Sequence, residues 1–325
     1  MHKIAILSEK ERSELFLETA TQKNITPAIA EKDFWVTFIL ERIFSDKKLA
    51  SMLIFKGGTS LSKVYRVIER FSEDIDLILD WNLLTSKNPQ EDRSKRQQEI
   101  LNKEINEKAK LFIATNLVDD LQKQVGDICN ISVDENDGYV INVRYPSAFD
   151  ESYLRPEIRL EIGPLAEWMP NEKHVITSYS AEIFPQLFEY PSCKVPTIVA
   201  ERTFWEKATI LHHEANRPES NTQPQRYSRH YYDLAMMAQS SIKEKALASL
   251  ELLENVVVFK KRFYPRGWAD YDAAKPGTLK LLPSQSIEQT LRQDYKDMRS
   301  MIFGEYPEFD IILEILKNLE NEING

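Results

Sequence analysis

Two aspartates, Asp74 and Asp76, stand two residues apart in the run Asp-Ile-Asp-Leu-Ile-Leu that ends at Leu79. In an extended strand, side chains at i and i+2 share a face, so both carboxylates converge while Ile75 and Leu77 turn the other way. Paired carboxylates are hard oxygen donors that suit Mg²⁺. Upstream lies Phe55-Lys-Gly-Gly-Thr-Ser60. Gly57 and Gly58 let the backbone approach a ligand closely, Thr59 or Ser60 can cap a following helix, and the first amides of such a helix attract phosphate. Lys56, at the strand end, either reaches a triphosphate or lies in solvent. Ser60 can touch phosphate as well as cap, and Ser72 can order the turn before the acidic pair by a local hydrogen bond. A metal site and a phosphate site thus fall in one strand, turn, helix and strand.

A metal site beside a phosphate site suits phosphoryl-type transfer, which develops charge on the attacking and leaving oxygens that metal ions held by three carboxylates can stabilise. Glu157-Ile-Arg-Leu-Glu-Ile162 offers the third, because Glu157, Arg159 and Glu161 share one face of a strand bounded by Pro156 and Gly163-Pro164. Glu161, deepest in the apolar stretch, is chosen before Glu157; the plain alternative is an exposed face with a Glu–Arg cross pair. Later in the chain, Ala200, Phe204, Ala208 and Leu211 form a buried helical stripe with Lys207 at its edge. An unpaired ammonium there is costly, so an anionic partner is expected. Asp233, in Arg229-His-Tyr-Tyr-Asp-Leu, either orients Lys207 or acts as a catalytic base, unless it pairs along its helix with Arg229. His230 reads as structural or exposed, and His212 and His213 carry no acidic or cysteine partner at useful spacing.

The elements that must hold these groups follow from periodicity. Residues 8–45 read as two helices broken at Pro27, with Ala30-Glu-Lys-Asp-Phe-Trp-Val36 reading as packing. Leu61, Val64, Tyr65, Ile68 and Phe71 predict one amphipathic helix after the glycines. A charged helical stretch spans about 91–124, strands cover 139–145 and 157–162, and helices dominate from Pro196 onward, interrupted by a polar linker at 216–228. The loop around Trp268 interleaves aromatic and basic residues and could stack a base, close over the site, or simply pack.

The constellation resembles DNA polymerase β-type nucleotidyltransferases, and the wording "FKGGTSLSKVY" with "RFSEDIDL" resembles one branch, the AbiEii/AbiGii toxin family. The resemblance implies an α+β fold: a mixed sheet flanked by helices, followed by a helical lobe, with the active site in a cleft. The corresponding division is N-terminal helices at 1–45, a nucleotidyltransferase lobe at 46–175 and a helical lobe at 176–325. It also implies Mg²⁺-dependent transfer of NMP from an NTP to an acceptor hydroxyl, with Asp74, Asp76 and Glu161 on the metals and Gly58 and Ser60 on the triphosphate. A phosphate would then be the anion facing Lys207. By the same resemblance the acceptor is RNA such as a tRNA 3′ end, the setting is abortive infection and phage defence, and a cognate antitoxin opposes the toxin. The competing readings are a small-molecule nucleotidyltransferase and a catalytically silent protein that binds a nucleotide or partner.

Composition sets the outer bounds. With 325 residues and 42% hydrophobic content the chain can build one large or two modest cores. No apolar run approaches the ~20 residues needed to span a bilayer, so a cytoplasmic protein without membrane contact is expected. Cys129 and Cys193 suggest neither a disulfide framework nor a zinc site. A net charge of −9 argues against bulk electrostatic coating of nucleic acid. Local basic candidates remain: Lys260-Lys261-Arg262 with Arg266, and Arg217, Arg226 and Arg229.

Overall fold

The structure, a computed structural model, describes residues 1–72, 74–149 and 154–325. The chain divides into two compact units, the first comprising residues 1–64 and 71–198 and the second residues 65–70 and 199–325.

The first unit opens with α1 (His2–Ala5), α2 (Glu9–Lys23), α3 (Pro27–Ser45) and α4 (Lys47–Met52). Ser8 and Glu11 form a reciprocal capping box on α2, and Thr26 caps α3 with Pro27 in its first turn, so the break expected at Pro27 is a helix start. Helix α3 is buried along most of its length, including Phe34, Trp35 and Phe38. Then come β1 (Leu53–Lys56), α5 (Gly57–Lys63), β2 (Asp74–Leu79), α6 (Lys95–Phe112), a π-turn at Ile113–Leu117, α7 (Val118–Val125), β3 (Asn130–Val133), β4 (Val140–Arg144), β5 (Ile158–Gly163), β6 (Asn171–Thr177), α8 (Tyr179–Ile183) and β7 (Ser192–Ile198). Among the described residues the strands make one mixed sheet in the order β3-β4-β5-β2-β1-β7-β6. Strand β2 runs parallel to β5 and antiparallel to β1. It therefore lies mid-sheet, where Ile75, Leu77, Ile78 and Leu79 are all buried.

Two expectations change here. The helix after the glycines stops at Lys63 rather than continuing to Phe71, for Arg66 takes a left-handed conformation (φ 54°) and residues 65–70 belong to the second unit. Ile68 and Phe71 are still buried, but not as a continuing helical stripe. The first unit also runs past the expected limit at 175, because β7 pairs with both β1 and β6; Pro196 within β7 obscured that strand in the sequence. The helices of 1–45 are part of this same unit.

The second unit is helical: α9 (Ala200–Ala215), α10 (Ser228–Ala238), α11 (Ser241–Leu247), α12 (Leu250–Phe263), α13 (Gln285–Asp297) and α14 (Phe309–Asn324). Its core gathers Phe204, Trp205, Tyr231, Leu234, Leu291 and Leu316.

Candidate active site

In the first unit, register sets the carboxylates side by side. Asp74 pairs with Arg159 and Asp76 with Glu161 across the parallel β2/β5 ladder, while Lys56 lies opposite Asp76 on β1. Ile75, Ile158, Leu160 and Ile162 take the buried positions between them. Asp74, Asp76 and Glu161 consequently share the partly open face, with Lys56 and Arg159 beside them. Arg159 Nε lies 3.9 Å from Asp74 Oδ1 and 4.0 Å from Glu161 Oε1. Its Nη1 donates to Asp134 Oδ2 at 3.2 Å, and the amide of Asn142 donates to the same oxygen at 3.0 Å. Glu157 precedes β5 and is not in this register.

Asp74 Oδ1 is shut from solvent and meets no hydrogen-bond donor among the described residues. A buried acceptor left in this way favours a cation. Among the described residues no three His, Cys, Asp or Glu side chains are grouped to hold a metal as they stand, and Arg159 lies near both Asp74 and Glu161. What the register provides on this face is the Asp74 and Asp76 pair, with Glu161 beside Asp76.

The turn before α5 is built around Gly57, whose φ is +80°, and a Cβ there would lie 1.9 Å from Asp76 Oδ2. This lets β1 pass directly into a helix whose N-cap is Lys56, with no side-chain cap. Thr59 and Ser60 are thus inside α5 and do not cap it. Thr59 Oγ1 donates to the carbonyl of Asp74 and lies 3.4 Å from that of Ser72, which joins the helix to the acidic strand. Ser60, fully buried, donates its hydroxyl to the Gly57 carbonyl at 2.7 Å. The part Ser72 plays in these contacts is through its carbonyl.

In the second unit Lys207 on α9 and Asp233 on α10 meet, with Nζ 2.7 Å from Oδ2. The sequence reading missed their third member. Arg70 donates Nε to Asp233 Oδ1 at 2.6 Å and Nη2 to Oδ2 at 2.8 Å, taking the place expected for Arg229. Arg70 and Asp233 are almost fully buried. Burial alone would raise the Asp233 pKa, but the charges of Arg70 and Lys207 more than offset it and hold the carboxyl at about 2. Burial pushes the Lys207 ammonium below its ordinary value, against the pull of Asp233. His230 Nδ1 lies 3.2 Å from Lys207 Nζ; burial, and then the positive charges of Lys207, Arg229 and Arg70, keep that ring neutral. Two cations thus surround one carboxylate. The position of Arg70, four residues before Asp74, carried no periodic signal that linked it to a helix more than a hundred residues away.

The other candidates are engaged elsewhere. His213 does have an acidic partner, its own neighbour Glu214, at 2.9 Å. Burial would raise the Glu214 pKa, yet His213 and Arg217 bring it down to about 2. Arg217 binds both Glu214 oxygens at 2.7 Å and stands 4.8 Å over the Trp268 ring, which Arg266 also approaches at 5.6 Å. Lys261 pairs with Asp272, and Lys260 donates to the Glu206 carbonyl. The Trp268 loop therefore packs on its own charged neighbours.

A family model described as nucleotidyl transferase AbiEii toxin, type IV TA system, matches residues 39–315. None of the curated proteins matches. Among solved structures, the nucleotidyltransferase toxin MenT4 from Mycobacterium tuberculosis H37Rv is 16% identical, with 98% of this chain and 100% of that one covered and a TM-score of 0.44. JHP933 from Helicobacter pylori is 16% identical, with 90% and 94% covered and a TM-score of 0.37. The family match spans far more than half of the sequence and includes every residue of the carboxylate face, the glycine turn and the Arg70–Asp233–Lys207 cluster. The chain belongs to the AbiEii family of nucleotidyltransferase toxins of type IV toxin–antitoxin systems.

Proposed function

We propose that this nucleotidyltransferase transfers NMP from an NTP to a hydroxyl of RNA, such as a tRNA 3′ end, in a Mg²⁺-dependent reaction that releases pyrophosphate. The observation that carries this reading is the register that sets Asp74, Asp76 and Glu161 on one face, with Gly57 packed against Asp76. Asp74 and Asp76 would hold the metal and Glu161 would complete the set. When bound, the ion would neutralise charge on the triphosphate and on the attacking and leaving oxygens. Gly57 comes close to Asp76, Lys56 stands opposite Asp76, and the backbone of Gly57, Gly58 and Thr59 would receive the triphosphate. Ser60 serves by holding the turn, its hydroxyl being given to Gly57. In the second unit Lys207 offers a cation to a phosphate. Asp233 acts there by orienting Lys207 rather than as a base, since a carboxyl held at about 2 by two cations is a poor proton acceptor. The family implies a nucleotide substrate and an antitoxin partner.

The test is incubation of wild type and the Asp74→Ala/Asp76→Ala variant with total RNA, Mg²⁺ and each α-labelled NTP in turn. Label entering a discrete RNA band with wild type alone is expected. A second reading, a small-molecule acceptor, is favoured by the pairing of Lys261 and Arg217 with carboxylates, which depletes the local basic surface. Pyrophosphate release from NTP with a small-molecule extract, and no labelled RNA, would move the conclusion there.

A further inference from the structure

The segment Ala30–Val36, which the sequence reading assigned to packing, carries three consecutive charged residues, Glu31, Lys32 and Asp33, each almost fully buried. Burying charge is expensive unless each group is paired and hydrogen-bonded. Each of the three bonds a different piece of the first unit. Glu31 accepts from the backbone N–H of Ala148 and Phe149, Lys32 donates to the carbonyl of Arg155 at 2.6 Å, and Asp33 holds Lys63.

Lys63 is the last residue of α5, the helix that begins at Gly57. Its Nζ donates to Asp33 Oδ1 at 2.6 Å and to the Thr177 carbonyl at 3.0 Å, and stands 4.7 Å over the Tyr179 ring. The other Asp33 oxygen accepts the N–H of Tyr179 at 2.7 Å. At the opposite end, Thr59 ties α5 to the carbonyl of Asp74. A seven-residue helix has too few internal hydrogen bonds to hold its own direction, so these two anchors set it.

We propose that Asp33 and Lys63 are positioning residues for nucleotide binding: by pinning the far end of α5 they hold the Gly57–Gly58 turn against Asp76. This rests on the nucleotidyl-transfer reading. A small rotation of α5 would either drive Gly57 into the Asp76 carboxylate or draw the turn away from it. Truncating one member of a buried pair orphans the other charge, so the single variant is read beside a double variant that removes both. In Asp33→Asn the side-chain oxygen still accepts from Tyr179, and Lys63 retains Thr177. In Asp33→Asn/Lys63→Met both charges are gone.

Binding of ribose-labelled N-methylanthraniloyl derivatives of the four NTPs, with Mg²⁺, is measured by fluorescence, alongside amide hydrogen exchange. The expected result is folded protein whose affinity falls about tenfold or more, equivalent to about 1.4 kcal/mol. Exchange rises in residues 57–63 and stays unchanged in β2 and β5. Lys63→Arg, which keeps the charge facing Asp33 and the Tyr179 ring, is expected to stay within about threefold of wild-type affinity, whereas a role in packing alone would make it as weak as the neutral variants. Folded variants with wild-type affinity and wild-type exchange in α5 would overturn the proposal. So would failure of both variants to fold, which would make the pair a requirement of the fold instead. A wild-type protein that binds none of the four nucleotides would sink the nucleotidyl-transfer reading itself, a separate outcome.

Discussion

Gly57 and Asp76 are in such close approach that a single added methyl group on the glycine would sit 1.9 Å from the aspartate Oδ2. Its φ of +80° is also one that side-chain-bearing residues adopt only at a cost. Gly57→Ala is therefore expected to lose transfer activity altogether while costing the fold about 1–2 kcal/mol for the backbone alone. Urea unfolding measures the second quantity and the RNA-labelling assay the first. Activity near wild type would show that the turn does not need this contact.

Arg70 and Lys207 contact the same carboxylate unequally, since Arg70 fills both oxygens of Asp233 and Lys207 touches only Oδ2. Arg70→Met is thus expected to destabilise the protein by about 3–5 kcal/mol, the usual cost of opening a buried pair. Lys207→Met leaves Asp233 its bidentate partner and should cost less, while removing the cation proposed to face phosphate. Chemical denaturation of the two variants, read by the same probe, decides the order; a costlier Lys207→Met would reverse the assignment of the structural and ligand-facing cations.

Groups of opposite sign respond to acid: burial raises the pKa of Glu31 and of Asp33, which favour the fold as pH falls, whereas three buried histidines, Asp233 and Glu214 favour it less. His212, His213 and His230 all have folded values below 6.5, chiefly because burial disfavours the charged ring, so the stability they contribute is full above about 6.5 and is lost as pH falls. Asp233 and Glu214, each near 2 when folded against ordinary values of 3.8 and 4.5, contribute above those ordinary values and lose it as pH drops toward about 2. For Asp233 that is about 2 kcal/mol. Urea midpoints recorded from pH 8 to pH 3 should fall in two stages, and His230→Gln should flatten the upper one. A His230→Gln variant whose midpoint changes between pH 7 and pH 5 just as wild type does would contradict this account.

Arg159 lies within 4.0 Å of both Asp74 and Glu161, so it offsets their negative charge in competition with any metal. Arg159→Met is expected to lower the melting temperature in the absence of added Mg²⁺ and to enlarge the rise that Mg²⁺ produces. Equal rises in variant and wild type, measured by thermal shift, would show that the guanidinium does not compete.

The carboxylate face was largely legible in the chain, because it depends on local rules. A two-residue period put Asp74 with Asp76 and Arg159 with Glu161, and a glycine pair between a strand and a helix pointed to a close approach. These readings need only the neighbours in sequence. The amphipathic stripe through Phe71 failed for a nonlocal reason: apolar spacing records burial, and Ile68 and Phe71 are buried, but it does not say within which unit. Only tertiary structure brought Arg70 to Asp233, a separation of 163 residues, or Asp33 to Lys63 across 30. A charged side chain gives no periodic signal for the partner that will neutralise it. Periodicity along the chain could thus specify which residues share a face, whereas the neutralisation of buried charge was decided where separate segments meet, since that is where desolvation makes a partner necessary.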